Sequence, residues 1–420
     1  MTSIWAIAAL WLGLALIAGA LSIWFRISAA MTEIIIGIAA QFILSSLFGS
    51  GLLDTDATWV RVLSGVGVML LTFLAGAELD PEVMKLKWKE ALAVGSASFL
   101  VPFLSCTAVT HYVLGWNMTQ SWLAGVALAG TSVAIVYAEM MIHKLNVTDF
   151  GKILLGACFV TDFATVLALG LIFSPFTQRT LIFAGVTAVC CVALPWLTPR
   201  LFKRFAEHPS ELETKFLLVC LLALGALATW ADSEAVLPAY LLGMMLAGTV
   251  GRDHALIRRL RTLTFGFVTP FFFIRAGYLV SIPAVIAAPL AFLVFLVTKI
   301  LAKTSGVYAA AKYYKYAHLE AMYSSLLMSS GLAFGAIVSL FGLTHGLIDK
   351  SQYSALVAGV IGTGILPTLI ANNLFVPRHL CPAETTRLKG KDYPSIYELF
   401  PQLSLENNVG LSGVPVISGE

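Results

Sequence analysis

The sequence predicts an all-helical membrane protein that crosses the bilayer about thirteen times. Of its 420 residues, 59% are hydrophobic and only 12% are charged, whereas soluble proteins contain roughly 25% charged residues. Apolar runs of 15 to 25 residues follow one another from the first residues to about Phe375. They leave no room for a soluble catalytic domain. A net charge of +3, with its basic residues scattered over the loops, also excludes a nucleic-acid-binding protein.

The spans follow from the positions of the apolar runs. The first run lacks a basic start and a small-residue cleavage site, so we interpret it as a retained span rather than a signal peptide. A polar tail, residues 376–420, follows the last span. The predicted spans cover residues 3–25, 31–50, 60–78, 90–114, 121–143, 152–174, 180–197, 214–231, 236–250, 261–282, 284–305, 318–342 and 352–375.

The basic residues of the loops predict the orientation. Alternate loops carry nearly all of them, and the remaining loops hold only Arg61, Arg179 and Lys350. Because positive loops stay in the cytoplasm, the N-terminus is expected outside and the C-terminus inside, which requires an odd number of spans. The predicted inner loops contain Arg26, Lys85, Lys87, Lys89, Lys144, Lys152, Arg200, Lys203, Arg204, Arg252, Arg258, Arg259, Arg261, Lys312 and Lys315.

Two halves of the chain resemble each other at an offset of about 200 residues. The segment ending at Gly37 in span two matches the one ending at Gly243 in span nine, and Gly76 in span three matches Gly277 in span ten. With the seventh span as a linker, six spans per half would lie in opposite orientations. This pattern predicts the inverted repeat of secondary transporters.

Asp162 lies at the centre of the sixth span. At 1.5 Å per residue it falls near the bilayer midplane. A carboxylate at that depth is costly unless it is protonated, paired or facing a cavity that binds a cation. We therefore predict that Asp162 binds the transported ion, the alternative being a protonated aspartate that hydrogen-bonds a neighbouring helix.

Small and hydroxyl-bearing residues interrupt two apolar spans at equivalent places in the halves. Span five contains Gly130, Thr131 and Ser132, and span twelve contains the sequence Ser-Ser-Gly over residues 329–331. Such residues favour unwound helices whose carbonyl and hydroxyl oxygens bind cations, although they also allow close helix packing. Because both interruptions accompany Asp162, we favour unwound helices over close packing as their explanation. Thr131 and Ser132 are therefore candidate ligands.

Other charged residues are candidates for supporting roles. Lys299, deep in span eleven, is predicted to be the basic partner of the site, whereas Lys303 is expected to extend to the cytoplasmic surface. Arg275 in span ten needs a counter-ion, for which Glu33 and Glu78 are candidates, and a structural ion pair is the favoured interpretation.

Two further glutamates, Glu139 and Glu320, lie near the cytoplasmic ends of their helices. Water can solvate a charge there at little free-energy cost, so neither glutamate requires a functional explanation. The alternative is a role in gating or ion access. The histidines and cysteines show no metal-ligand spacing inside a span, so no metal centre and no cofactor are predicted.

These motifs resemble the bacterial monovalent cation:proton antiporters of the branch that includes the Kef and NapA proteins. The resemblance covers residues 25–375 in order. Its motifs include Glu33 with Gly37, the segment from Leu74 to Asp80 that contains Glu78, Thr131 with Ser132, Asp162, Pro270–Phe273 with Gly277, and Thr298 with Lys299. Where relatives carry Asp, Asn or Gln before the essential carboxylate, this chain carries Thr161, and Arg275 stands where relatives have a small or apolar residue.

The resemblance implies a fold like those of NhaA and NapA, with two unwound helices that cross. It also implies a homodimer with an elevator motion. The dimerisation part would comprise about residues 1–80 and 214–282, the mobile core 90–174 and 284–375, and the linker 180–197.

The expected function is secondary active transport, the exchange of Na⁺ or K⁺ for protons across a bacterial inner membrane, serving pH homeostasis. Asp162 would bind cation and proton in turn, with Thr161, Thr131 and Ser132 as further ligands. Because Thr161 carries no second exchangeable proton, exchange is expected to be electroneutral, unless Lys299 releases a proton in each cycle.

Two rival functions remain. A cation channel or membrane sensor could keep the fold without obligatory proton coupling. A membrane-embedded hydrolase is disfavoured because no second aspartate forms a catalytic dyad and no metal-ligand motif lies in a span.

Overall fold

The computed structural model of the protein describes residues 4–25, 28–48, 53–77, 87–145, 148–173, 177–205, 211–231, 233, 235–251, 253–287 and 289–381. All regular structure within these ranges is helical, as the sequence predicts. Nine described segments are long and apolar enough to cross a membrane, and two shorter apolar helices accompany them.

The described residues of the first half form seven helices, followed by one long connecting helix. They are α1 (Ile4–Phe25), α2 (Ala29–Phe48), α3 (Thr58–Ala77), α4 (Trp88–Tyr112), α5 (Met118–Ala129), α6 (Val133–Ile142), α7 (Asp149–Phe173) and the connecting helix α8 (Gln178–Phe205). Helix α8 extends beyond the predicted linker of residues 180–197 at both ends.

The second half repeats this order among the described residues, with two additional short helices. Its helices are α9 (Leu212–Trp230), α10 (Val236–Leu246), α11 (His254–Leu263), α12 (Thr269–Tyr278), α13 (Ile282–Ala287), α14 (Pro289–Tyr313), α15 (His318–Met328), α16 (Ala333–Thr344) and α17 (Lys350–Ile370). The additional helices are α11 and α13. A π-helical turn, Thr264–Val268, joins α11 to α12, and a second one, Ala371–Phe375, follows α17.

Helix α11 occupies residues that the sequence suggested were a basic loop. Asp253 caps its first turn by accepting a hydrogen bond from the Leu256 amide at 3.0 Å. Leu256 and Leu260 are buried, whereas Arg259 is exposed and pairs with Glu211 at 2.8 Å. The loop expectation was wrong because the hydrophobic residues recur at helical spacing between the arginines.

Four glycines show how the inverted repeat is assembled. A Cβ on Gly37 would overlap the Ile274 carbonyl of α12, and one on Gly277 would overlap the carbonyl of residue 34 in α2. Gly76 and Gly243 bring α3 and α10 together in the same way. Because Gly37 corresponds to Gly243 and Gly76 to Gly277, the α2–α12 and α3–α10 contacts are related by the repeat. The inverted repeat predicted from these glycines is confirmed.

The helices form two packing groups. Helices α2, α3, α10 and α12 pack against one another, as do α4, α5, α7, α14 and α15. Two tyrosines hydrogen-bond across the boundary: Tyr240 donates to the Phe159 carbonyl at 3.1 Å and Tyr353 to the Ala276 carbonyl at 2.5 Å. The division of the chain into a dimerisation part, a mobile core and a linker remains a prediction.

Candidate ion-binding site

Two interrupted helices cross at the centre of the second packing group. The helical structure stops over residues 130–132, between α5 and α6, and over residues 329–332, between α15 and α16. The Ser132 amide donates to the Ser330 carbonyl at 2.8 Å, and the Thr131 hydroxyl donates to the Met328 carbonyl at 3.1 Å. Both predicted breaks are therefore confirmed, and each satisfies backbone groups of the other.

Glycine allows the two breaks to touch. A Cβ on Gly331 would collide with the Gly130 carbonyl and with the Lys299 ammonium. Two helix N-termini and two helix C-termini consequently meet in a small volume. Their partial charges, positive at the N-termini and negative at the C-termini, make the crossing suitable for ions of either sign.

Asp162 on α7 is buried beside this crossing, with 2% of its surface exposed. Its Oδ1 atom accepts no hydrogen bond from any described residue. Leaving such an oxygen unpaired costs about 1–3 kcal/mol, and more when it is charged. Binding of a proton or a cation to this carboxylate would remove that cost.

Lys303 on α14 is the lysine that reaches the site, contrary to expectation. It is completely buried, and its ammonium donates to Ser98 Oγ at 3.1 Å and to Thr131 Oγ1 at 2.5 Å. No ion pair within 4.0 Å joins Lys303 to Asp162 among the described residues. The surface position expected for Lys303 was wrong because α14 continues to Tyr313, which places this residue ten positions inside the helix end.

Lys299, the predicted partner, lies one turn away on the same helix. It is also completely buried, but its ammonium makes no hydrogen bond to the described residues and lies against Gly331. Lys299 therefore faces the second break, whereas Lys303 faces the first break and the carboxylate.

Three further hydroxyl-bearing residues of α4 and α7 are completely buried. Thr161 donates to the Gly95 and Ala157 carbonyls at 3.2 and 2.9 Å, so its hydroxyl proton joins α7 to α4, and its role as a cation ligand stays a prediction. Thr165 is buried one turn after Asp162, on the side of Gly130. Ser98 accepts from Lys303. Sequence reasoning missed Ser98 and Thr165 because single hydroxyl residues are common in membrane helices.

The remaining predicted charges lie elsewhere. Arg275 donates to the Thr55 carbonyl at 2.9 Å and pairs with Asp56 at 3.5 Å, rather than with the buried Glu33. Its counter-ion therefore comes from a loop that the sequence did not connect with α12. Glu78, the other predicted counter-ion, lies outside the described residues.

Comparison with known proteins agrees with this geometry. A family model described as the transmembrane sodium/hydrogen exchanger matches residues 12–375. The chain belongs to the sodium/hydrogen exchanger family. This confirms the resemblance to cation:proton antiporters and shows a multi-pass membrane protein.

Two relatives and one solved structure illustrate the similarity. "Probable Na(+)/H(+) antiporter 3" of Methanocaldococcus jannaschii is 24% identical, over 79% of this chain and 87% of its own. An Na⁺/H⁺ antiporter of Enterococcus hirae is 27% identical, over 74% of this chain and 84% of its own. The sodium proton antiporter MjNhaP1 of M. jannaschii, solved at pH 8, aligns with a TM-score of 0.65 at 16% identity, over 91% of this chain and 98% of that one. The last similarity supports the fold alone.

Proposed function

We propose that this member of the family exchanges a monovalent cation, Na⁺ in the first place with K⁺ as the second candidate, for protons. The observation that carries the proposal is the buried carboxylate of Asp162, with an unpaired oxygen, beside two crossed helix breaks. One carboxylate provides one negative charge, which matches one monovalent cation or one proton. Family membership and the printed names of the relatives support the same reaction.

Exchange follows from competition for Asp162. The cation and the proton neutralise the same carboxylate, so binding of one excludes the other. If only the neutralised site crosses the membrane, each direction must carry an ion. Thr131 supplies a hydroxyl oxygen next to the carboxylate, and the unwound residues around Ser132 supply carbonyl oxygens.

Lys303 would regulate access of the cation to Thr131. Its ammonium occupies the same hydroxyl oxygen that a cation would use, so the two compete. Ser98 is a second acceptor, which the ammonium can keep when Thr131 turns to the cation. We propose that Lys303 keeps its proton throughout the cycle, so that one cation exchanges for one proton without net charge movement.

The packing groups suggest how the site changes sides. In an elevator motion the group that contains Asp162 would slide along the group built on α3 and α10. The hydrogen bonds of Tyr240 and Tyr353 across the boundary would break and re-form. We further propose a homodimer in a bacterial inner membrane, with the N-terminus outside and the C-terminus in the cytoplasm.

Transport by the purified protein in proteoliposomes tests this proposal. Proton efflux is measured against inward gradients of Li⁺, Na⁺, K⁺ and Rb⁺, while valinomycin and internal potassium clamp the membrane potential for the ions other than K⁺ and Rb⁺. We expect Na⁺-driven proton movement whose rate does not depend on the imposed potential. Cation flux without proton movement would indicate a channel and refute antiport, and a rate that changes with the potential would refute one-for-one exchange.

A further inference from the structure

A second polar cluster lies away from Asp162, between the helix crossing and one end of the bundle. Asn372, in the π-helical turn after α17, donates from Nδ2 to Glu139 Oε2 at 2.7 Å. Its other amide atom, Oδ1, is buried and lies close to the His143 side chain, which interacts with Asn372. Tyr323 on α15 is completely buried, and its hydroxyl has no described partner.

The spacing along the helices connects this cluster with the crossing. Glu139 follows Ser132 by seven residues, and Tyr323 precedes Ser330 by seven. Seven residues make about two helical turns, or about 10 Å, and return to the same helix face. Because Ser132 and Ser330 are hydrogen-bonded at the crossing, Glu139 and Tyr323 form a second polar layer on the same pair of interrupted helices.

The atoms of this layer suit a monovalent cation. A carboxylate oxygen, an amide oxygen and a phenol oxygen are the hard ligands that alkali cations use, and the layer carries one carboxylate. Tyr323 packs in the same buried cluster as Met140, the residue that follows Glu139. The basic groups that face the layer are His143, whose ring centroid lies 6.4 Å from that of Tyr323, and Arg378, which is exposed to solvent that screens its charge.

The unpaired Tyr323 hydroxyl indicates a ligand rather than a structural connection. A purely structural contact between Glu139 and Asn372 would explain their mutual hydrogen bond, but it would not explain a completely buried hydroxyl that has no partner among the described residues. Such groups are rare in native proteins because each costs free energy. A cation bound by Glu139 would satisfy this hydroxyl.

We propose that Glu139, Tyr323 and Asn372 form a second, weaker binding site for the transported monovalent cation, on the proposed cytoplasmic side of Asp162. The cation is held there, about 10 Å from the crossing, before it exchanges with the proton on Asp162. This inference rests on the proposed function, because it assumes that the same cation reaches Asp162.

Cation binding to variants of the purified full-length protein separates the two sites. Binding of ²²Na⁺ is measured in detergent at constant ionic strength with choline as the replacement ion. We expect that Asp162→Asn retains saturable Na⁺ binding and that Asp162→Asn with Glu139→Gln loses it. The matched control, Asp162→Asn with Glu320→Gln, removes a glutamate at the same end of the bundle that pairs with His379, and it should still bind.

Either of two results overturns the second site. One is the absence of Na⁺ binding in Asp162→Asn, and the other is binding that persists after Glu139→Gln is added. The proposed function fails separately, if Asp162→Asn still exchanges cations for protons.

The variant Tyr323→Phe tests the site without disturbing the fold. It deletes only a hydroxyl that has no partner in the structure, so the thermal unfolding temperature should stay unchanged. Loss of one oxygen ligand should raise the KM for Na⁺ by about five-fold with kcat unchanged, because one hydrogen-bond-sized contact is removed. An unchanged KM would overturn the participation of Tyr323.

Discussion

Replacing Lys303 by methionine should increase the affinity for the cation. The substitution keeps the buried stem but removes the ammonium that donates to Thr131 Oγ1 at 2.5 Å. In the wild type a cation must displace this charge-assisted hydrogen bond, which contributes about 1.5–3 kcal/mol. Without it, the KM for Na⁺ should fall by roughly 10- to 150-fold when the proton concentration is too low to compete.

The assay is Na⁺-dependent proton efflux from proteoliposomes, titrated at alkaline pH. Lys299→Met is the matched control, because Lys299 is equally buried one turn away on the same helix but makes no hydrogen bond to the described residues. Its KM should remain close to that of the wild type. An unchanged or higher KM in Lys303→Met, or a fall in Lys299→Met alone, would refute the competition between ammonium and cation.

Two other substitutions test the crossing and the repeat. Thr131→Val deletes the hydroxyl that contacts Lys303 and Met328. The KM for Na⁺ should rise by about ten-fold while the protein remains folded, because an oxygen ligand is lost. An unchanged KM would indicate that the break only allows helix packing. Gly277→Ala introduces a Cβ that overlaps the backbone of α2, and it should lower the free energy of unfolding by about 1–3 kcal/mol. The unfolding temperature in detergent should fall accordingly, whereas Gly19→Ala, which has open space around the new Cβ, should leave it unchanged. Equal unfolding temperatures for the two variants would contradict the close helix approach.

Much of the fold could be predicted from the sequence because membrane helices leave strong local patterns. Hydropathy predicted the spans, and glycine residues at matching offsets predicted the internal repeat. The breaks at Thr131 and at Ser330 were predictable because small and hydroxyl residues interrupt apolar runs at equivalent places. Asp162 could be singled out as the candidate ion-binding residue because a carboxylate in an apolar span needs a partner or a ligand.

The choice between two lysines could not be predicted. Lys299 and Lys303 lie one turn apart on the same face of one helix, and which one contacts Thr131 depends on the length of α14 and on its packing against α4. Hydropathy placed the end of that span at residue 305, whereas the helix ends at Tyr313. Asp56 was missed as the partner of Arg275 for a related reason. The loop that carries Asp56 is far from Arg275 in the sequence, and no local pattern shows that it contacts α12.

The central claim is that Asp162 binds both transported ions in turn, and Asp162→Asn tests it most directly. Asparagine keeps the size of the side chain but removes the charge that a cation or proton neutralises. Na⁺-driven proton efflux is compared in proteoliposomes that contain equal amounts of folded wild-type and variant protein. We predict that the variant inserts and folds, with exchange no faster than in protein-free liposomes. Exchange at the wild-type rate would contradict the claim.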